Sequence, residues 1–210
     1  MSITRRSLLA SVLPVLTIMA TQIPTHAEIP KNFSTPRTLG NSNAKVHVEE
    51  WFSLTCVHCG RFAHDILPQI QKKYIDTGKV FYIFKDFPLD KIALKAAIVA
   101  RSLPVDQYKP FITALLSNLD QWAFNENADP LQELQKYSIL AGMSKERFQQ
   151  VTHDDAIQKI ILEESNYAEK HFKIDSTPTF IFNGKKVVGE LTLDKFDQEV
   201  NDALTRTVPS

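Results

Sequence analysis

The chain of 210 residues has only two cysteines, Cys56 and Cys59, and this scarcity excludes several architectures. A closed structural zinc site needs four ligands, usually supplied as two pairs, and there is no second cysteine pair. His47, His64, His153 and His171 are scattered, without the close spacing of a zinc finger. A disulfide-stapled scaffold is a poor fit too. A crosslink gains strength with the loop it closes, and a Cys56–Cys59 bridge closes almost none. Charge of one sign is also lacking: 24 basic residues balance 24 acidic ones. That argues against nucleic acid, which demands a concentrated basic surface, and against a polybasic membrane patch. There are no internal repeats or low-complexity tracts, and no segment beyond residue 27 approaches a membrane span.

What is present begins with an export pattern. "MSITRRSLLASVLPVLTIMATQIPTHA", residues 1–27, has a basic start at Arg5 and Arg6, an apolar stretch from Leu8 to about Ala20, and small residues at Thr25 and Ala27. That order predicts a signal peptide cleaved after Ala27; an uncleaved anchor is the alternative. The Arg5–Arg6 pair also loosely fits a twin-arginine signal, so the Sec and twin-arginine routes both stay open. Cleavage leaves residues 28–210 as a soluble exported chain. Without Arg5 and Arg6 it has 22 basic against 24 acidic residues, a formal charge of −2. Its 183 residues suffice for one domain with a proper core, or a small domain with a large insertion.

Along that chain, residues 28–43 read as a leader arm. "AKVHVEEWFSL" reads as a strand feeding a turn, with His47 on the face opposite Val46 and Val48. The spacing of Phe62, Ile66, Ile70 and Tyr74 then predicts a helix kinked at Pro68 and stopped at Gly78. "KVFYIFKDF" is apolar enough to be a central strand. Residues 89–172 lack strand signals and carry helix punctuation. Asp90 caps one helix, Asp129–Pro130 opens another that Gly142 closes, and Ile157, Ile160, Ile161, Tyr167 and Phe172 mark one face of a third. "TPTFIFNGKKVVGEL" reads as a hairpin turning at Asn183–Gly184, and Leu193 to Leu204 as a closing amphipathic helix. The order predicts an α/β fold: a mixed sheet, helices on both faces, and a helical insertion at about 89–172.

The cysteine pair sits where the first strand hands over to the first helix. Inert buried thiols would leave that placement unexplained. At a helix start, unpaired N–H groups and the positive end of the dipole favour a thiolate at Cys56. His58 is expected to add a donor or a positive charge beside the same sulfur. A stabilised thiolate favours the reduced protein and makes the disulfide an oxidant. Cys56 is then the sulfur attacked by a substrate thiolate, and Cys59, one turn deeper, its resolving partner.

Two further features bear on this site. Pro178 in "STPTF" opens a strand, where proline serves a tight turn or an edge. A cis Thr177–Pro178 bond would bring the loop against the cysteines, although the local sequence favours trans. Of Glu49 and Glu50, either one faces inward, able to relay protons near a buried thiol, or both line a solvent-facing edge.

"EEWFSLTCVHCGRF", the late "STPTFIFNGK", the helical insertion and the export signal together resemble the DsbA family of thiol-disulfide oxidoreductases, built on the thioredoxin fold. The likeness covers nearly all of residues 38–205. The resemblance implies that Cys56 and Cys59 are the redox pair, with no other cofactor, and that Pro178 is the cis proline facing them. It matches Glu50 to the buried acid preceding the site. It also implies a bacterial periplasm, client proteins with free cysteines, and a quinone-linked membrane partner, DsbB-like, that reoxidises the pair. Val57 departs from the proline of the best-known members, and Thr177 is shared with disulfide isomerases. An oxidase that donates its disulfide is the leading expectation. An isomerase or reductase, or a chaperone-like binding protein, is the alternative. The isomerases are typically dimers with an added segment, for which residues 28–43 are too short, so a monomer is expected.

Overall fold

In the computed structural model, residues 33–206 are described; the export signal expected at residues 1–27 lies outside them. Strand β2 (Val46–Phe52) divides its side chains between two faces, as a period of two requires. Val46, Val48, Glu50 and Phe52 are buried on one face, and Trp51 packs on the other against Ala168, Ile174 and Ile181. Strand β3 (Val80–Asp86) runs parallel to β2, with Glu50 opposite Phe84. Strand β4 (Thr179–Phe182) runs antiparallel on the other side of β2, with Trp51 opposite Thr179. Strand β5 (Lys185–Val188) pairs antiparallel with β4. The turn between them holds Asn183 at φ 43° and Gly184 at φ 85°, the left-handed geometry of a two-residue hairpin.

With a short strand β1 at Arg37–Leu39, the sheet order is β1-β3-β2-β4-β5, so β3 is interior. Its outer neighbour, β1, corrects the reading of residues 28–43 as a leader arm. Three residues between Pro36 and Gly40 are too few to display a strand period. The buried Arg37 guanidinium fixes this segment by donating to the carbonyls of Thr35 and Arg101, each at 2.9 Å.

The β2–β3 crossover is one helical run, α1 (57–75). Its α-helical parts Val57–Arg61 and Leu67–Ile70 alternate with π-helical turns at Phe62–Ile66 and Gln71–Ile75. Pro68 accounts for the first widening: it has no N–H, and its ring displaces the carbonyl one turn earlier. Between β3 and β4 the described residues form helices α2 (Lys91–Ser102), α3 (Val105–Ser117), α4 (Leu119–Trp122), α5 (Pro130–Leu140), α6 (Lys145–Thr152) and α7 (Asp155–Phe172). Helix α8 (Leu193–Thr205) closes the fold. Asp90 caps α2 and Asp129 caps α5 through their side chains, as their positions predicted.

Helix α7 buries Ile157, Ile161 and Ala168, whereas Tyr167 is 52% exposed and stacks on His171. At about 100° per residue, a side chain ten positions after Ile157 lies roughly 80° off its face, and one eleven positions on returns to it. The main core lies between the sheet, the 57–75 run and the helical insertion, and takes in both cysteines. Phe180 meets Phe62 at 4.7 Å between ring centroids, and Phe182 meets Phe196 at 5.0 Å. No helix among the described residues is long and apolar enough to cross a membrane.

Candidate active site

Strand β2 ends at Phe52, and the turn through Ser53 and Thr55 delivers Cys56 as the N-cap of the helical run. The Cys56 N–H bonds the Ser53 carbonyl at 3.2 Å, and its sulfur accepts the Cys59 N–H at 3.3 Å. The thiol points at the Thr177 carbonyl oxygen, 3.4 Å away. Cys56 keeps 7% of its surface and Cys59 none, and the structure describes the dithiol form. The hydrogen bond from the Cys59 thiol, joined by the Thr177 hydroxyl and the backbone N–H groups of Cys59 and His58, lowers the Cys56 pKa to about 6 against the opposing effect of burial. Burial pushes the Cys59 thiol up, and the neighbouring Cys56 sulfur pushes it further. One thiol is thus made ready to ionise and the other held protonated.

The Thr177–Pro178 peptide bond is cis. Pairing of β4 with β2 carries this loop to the end of β2, where Cys56 starts the helix. The Pro178 carbonyl accepts the Gly189 N–H at 2.8 Å, locking the loop to the end of the hairpin. The Thr177 hydroxyl is buried and makes no good hydrogen bond in the dithiol form, which leaves it available to a thiolate. Val57, 46% exposed, flanks Cys56 on the open side.

The question of the two acids is decided by the register. Glu50 turns inward at 2% exposure and accepts the Tyr82 hydroxyl at 2.7 Å. Glu49 lies on the other face and accepts the Trp51 indole N–H at 3.1 Å. Burial raises the Glu50 pKa to about 8, which the Tyr82 hydrogen bond opposes. Charge on Glu50 in turn opposes ionisation of Cys59.

His58 differs from expectation. Its ring is turned to Glu190, with Nδ1 2.9 Å from Oε2, and what it offers Cys56 is the backbone N–H. An N-cap sulfur faces the amides of the first turn, whereas a side chain at the second helical position projects outward.

Several partners had no local signal. Arg61 and Glu190 are joined by bonds of 2.8 and 3.1 Å across 129 positions. Thr55 Oγ1 donates to Asp90 Oδ2 at 2.6 Å, so a residue read only as a cap also holds the turn before Cys56. Gly60 lets the helical run approach α3: a Cβ there would stand 2.8 Å from the Leu116 carbonyl oxygen. Tyr82 was within reach of sequence reasoning, since it alternates inward with Val80 and Phe84 on β3. Among the described residues, no group of three or more His, Cys, Asp or Glu is arranged to hold a metal ion.

The thioredoxin family profile matches residues 32–202. A Rickettsia felis relative, named as a candidate protein-disulfide oxidoreductase, is 33% identical over 167 residues. The match takes in 79% of this chain and 59% of that protein, so the chain spans about three fifths of the curated relative's length. The crystal structure of Wolbachia pipientis alpha-DsbA1 superposes with a TM-score of 0.74 at 30% identity, covering 81% of this chain and 92% of that one. A protein-disulfide isomerase from Novosphingobium aromaticivorans shares the fold, with a TM-score of 0.70 at 19% identity over 81% of this chain and 98% of that one.

Proposed function

Because the chain belongs to the DsbA branch of the thioredoxin family, we propose that it is a thiol-disulfide oxidoreductase that donates the Cys56–Cys59 disulfide to folding proteins. The observation that carries this reading is the split between the two thiols, one eased toward ionisation at about 6 and the other pushed up by burial. A substrate thiolate attacks the Cys56 sulfur, the S–S bond breaks, and Cys59 leaves and takes up a proton. Glu50, uncharged at neutral pH and electrostatically coupled to Cys59, is suited to deliver it. A second substrate thiolate then attacks the substrate sulfur of the mixed disulfide. That step expels Cys56 as a stabilised thiolate and leaves an oxidised product and a reduced enzyme. A low thiol pKa on the leaving side speeds such exchange.

In this reading Thr177 presents its backbone beside the sulfur to an extended client chain, with Pro178 and Val57 bordering the same surface. The redox pair needs no further cofactor. The setting is the periplasm, reached through the signal at residues 1–27 followed by the mature domain 28–210. The clients are exported proteins with free cysteines, the protein acts as a monomer, and a quinone-linked membrane protein restores the disulfide. The export-like N-terminus supports the periplasmic setting, and the likeness to DsbA proteins supports protein clients with cysteines.

The test is capture. Offered a peptide disulfide, Cys59→Ala holds the peptide on Cys56 as a mixed disulfide, because no resolving thiol remains. Cys56→Ala captures nothing. Reversed capture would reverse the roles. The shared fold and Thr177 keep an isomerase or reductase as the second reading, and the reduction potential separates them: about −120 mV marks an oxidant and about −270 mV a reductant.

A further inference from the structure

Outside the thiols, the most heavily connected charged group at the site is Glu190, in the segment after β5. Its carboxylate takes Arg61 Nε at 3.1 and 3.3 Å and Arg61 Nη2 at 2.8 Å. The same Oε2 lies 2.9 Å from His58 Nδ1, and Arg61 Nη2 lies 2.7 Å from that nitrogen. His58 Nδ1 therefore stands between a group that only accepts and a group that only donates. With a proton it donates to Glu190; without one it accepts from Arg61. Either way, the ring nitrogen is engaged by Glu190 and Arg61, whereas the sulfur's own hydrogen-bond partners are Cys59 N–H and Thr177 O.

The segment bearing Glu190 is not free to drift, because the neighbouring Gly189 N–H is bonded to the Pro178 carbonyl. The network thus ties the hairpin half of the fold to the first turn of the active-site helix. Exposed ion pairs of this kind contribute little to stability. Arg61 nevertheless closes the short helix that Cys56 caps, and the charge of the Cys56 sulfur acts on its guanidinium. Asp65, paired with His64, is the other acid that acts on Arg61.

We propose that Glu190 is a positioning residue that moderates the oxidant, occupying the Arg61 guanidinium and the His58 ring so that neither is spent on the Cys56 thiolate. This rests on the reading of Cys56 as the reactive thiol. Loss of the carboxylate leaves the positive charge of Arg61 uncompensated, which favours the thiolate and makes the disulfide easier to reduce. Loss of Arg61 leaves the negative charge of Glu190 uncompensated, with the opposite effect.

The experiment uses the whole chain as wild type, Glu190→Gln, Arg61→Gln and the double variant. It titrates the thiolate absorbance of the reduced protein and measures the equilibrium with glutathione. Glu190→Gln is expected to raise the thiolate-to-thiol ratio at a given pH about threefold, the scale of one unit charge roughly 7–10 Å away through a wet surface. Its disulfide becomes more readily reduced by a similar factor. Arg61→Gln moves both readouts the other way, and the double variant returns close to wild type. A network that serves only to join helix and hairpin would lower the melting temperature in both single variants and leave the titration unmoved. That result, or shifts of the same sign, overturns the proposal. If wild-type Cys56 itself titrates as an ordinary cysteine, the disulfide-donor reading fails, whatever the variants do. If wild type titrates near 6 and the variants coincide with it, only the role of Glu190 fails.

Discussion

Thr55 Oγ1 donates to Asp90 Oδ2 at 2.6 Å, so the residue before the nucleophile is held by the cap of the first insertion helix. Asp90 Oδ1 accepts the Ala93 N–H at 2.7 Å, and one carboxylate thereby serves both the insertion and the active-site turn. The Ser53 hydroxyl lies 3.2 Å from Thr55 Oγ1 and extends the link toward β2.

Asp90→Ala removes the cap and leaves the buried Thr55 hydroxyl short of its acceptor. An N-cap is worth about 0.5–2 kcal/mol, and an unpaired buried polar group costs about 1–3 kcal/mol. Urea unfolding should show a loss of roughly 2–4 kcal/mol, with slower thiol exchange. Asp90→Asn, which still accepts, should recover most of both. Equal losses in the two variants would mean that the carboxylate matters only through its charge.

The lowered Cys56 pKa predicts a particular pH profile. With a value of about 6, the thiolate should exceed the thiol about tenfold at pH 7. Alkylation of the reduced protein should reach half its maximum near pH 6 and level off by about pH 8. The folded pKa lies below that of a free thiol, so its stabilisation of the reduced form is complete above the free-thiol range. It is lost as pH falls through 6. The melting temperature of the reduced protein relative to the oxidised one should therefore climb between about pH 6 and 9. An alkylation midpoint near 8.5 would remove the basis for a disulfide donor.

Glu50 should leave the opposite signature. Its folded pKa, raised to about 8 by burial, exceeds the ordinary carboxyl value. Between roughly pH 4.5 and 8 the folded state holds a proton that the unfolded state has released. Stability from this group is complete below that window and declines as pH rises through it, by up to about 1.4 kcal/mol per pH unit. Oxidised Glu50→Gln should lack this slope while keeping the fold, and should protonate the departing Cys59 more slowly. A wild-type slope unchanged in the variant would place the titration elsewhere.

Much of this architecture was readable along the chain because it is written in short-range patterns. The two-residue period of β2, the cap at Asp90, the proline that disturbs the 57–75 run and the Asn183–Gly184 turn each act within a few positions. Strand β1 was not readable, since three residues carry no period, and neither was the outward set of Tyr167, where one position decides the helix face.

At the site, the spacing of Cys56 and Cys59 and their place at a helix start follow from sequence alone, because an N-cap and the amide three residues on are local neighbours. Which way His58 turns, which of Glu49 and Glu50 goes inward, and the cis geometry before Pro178 were decided by the tertiary structure. These depend on groups more than thirty positions away: Tyr82 on the neighbouring strand, the β4 loop laid beside Cys56, and Glu190 at the end of the hairpin. Local backbone preference can prepare a sulfur for ionisation, but only chain crossings can bring up the charges and hydroxyls that set how far it goes.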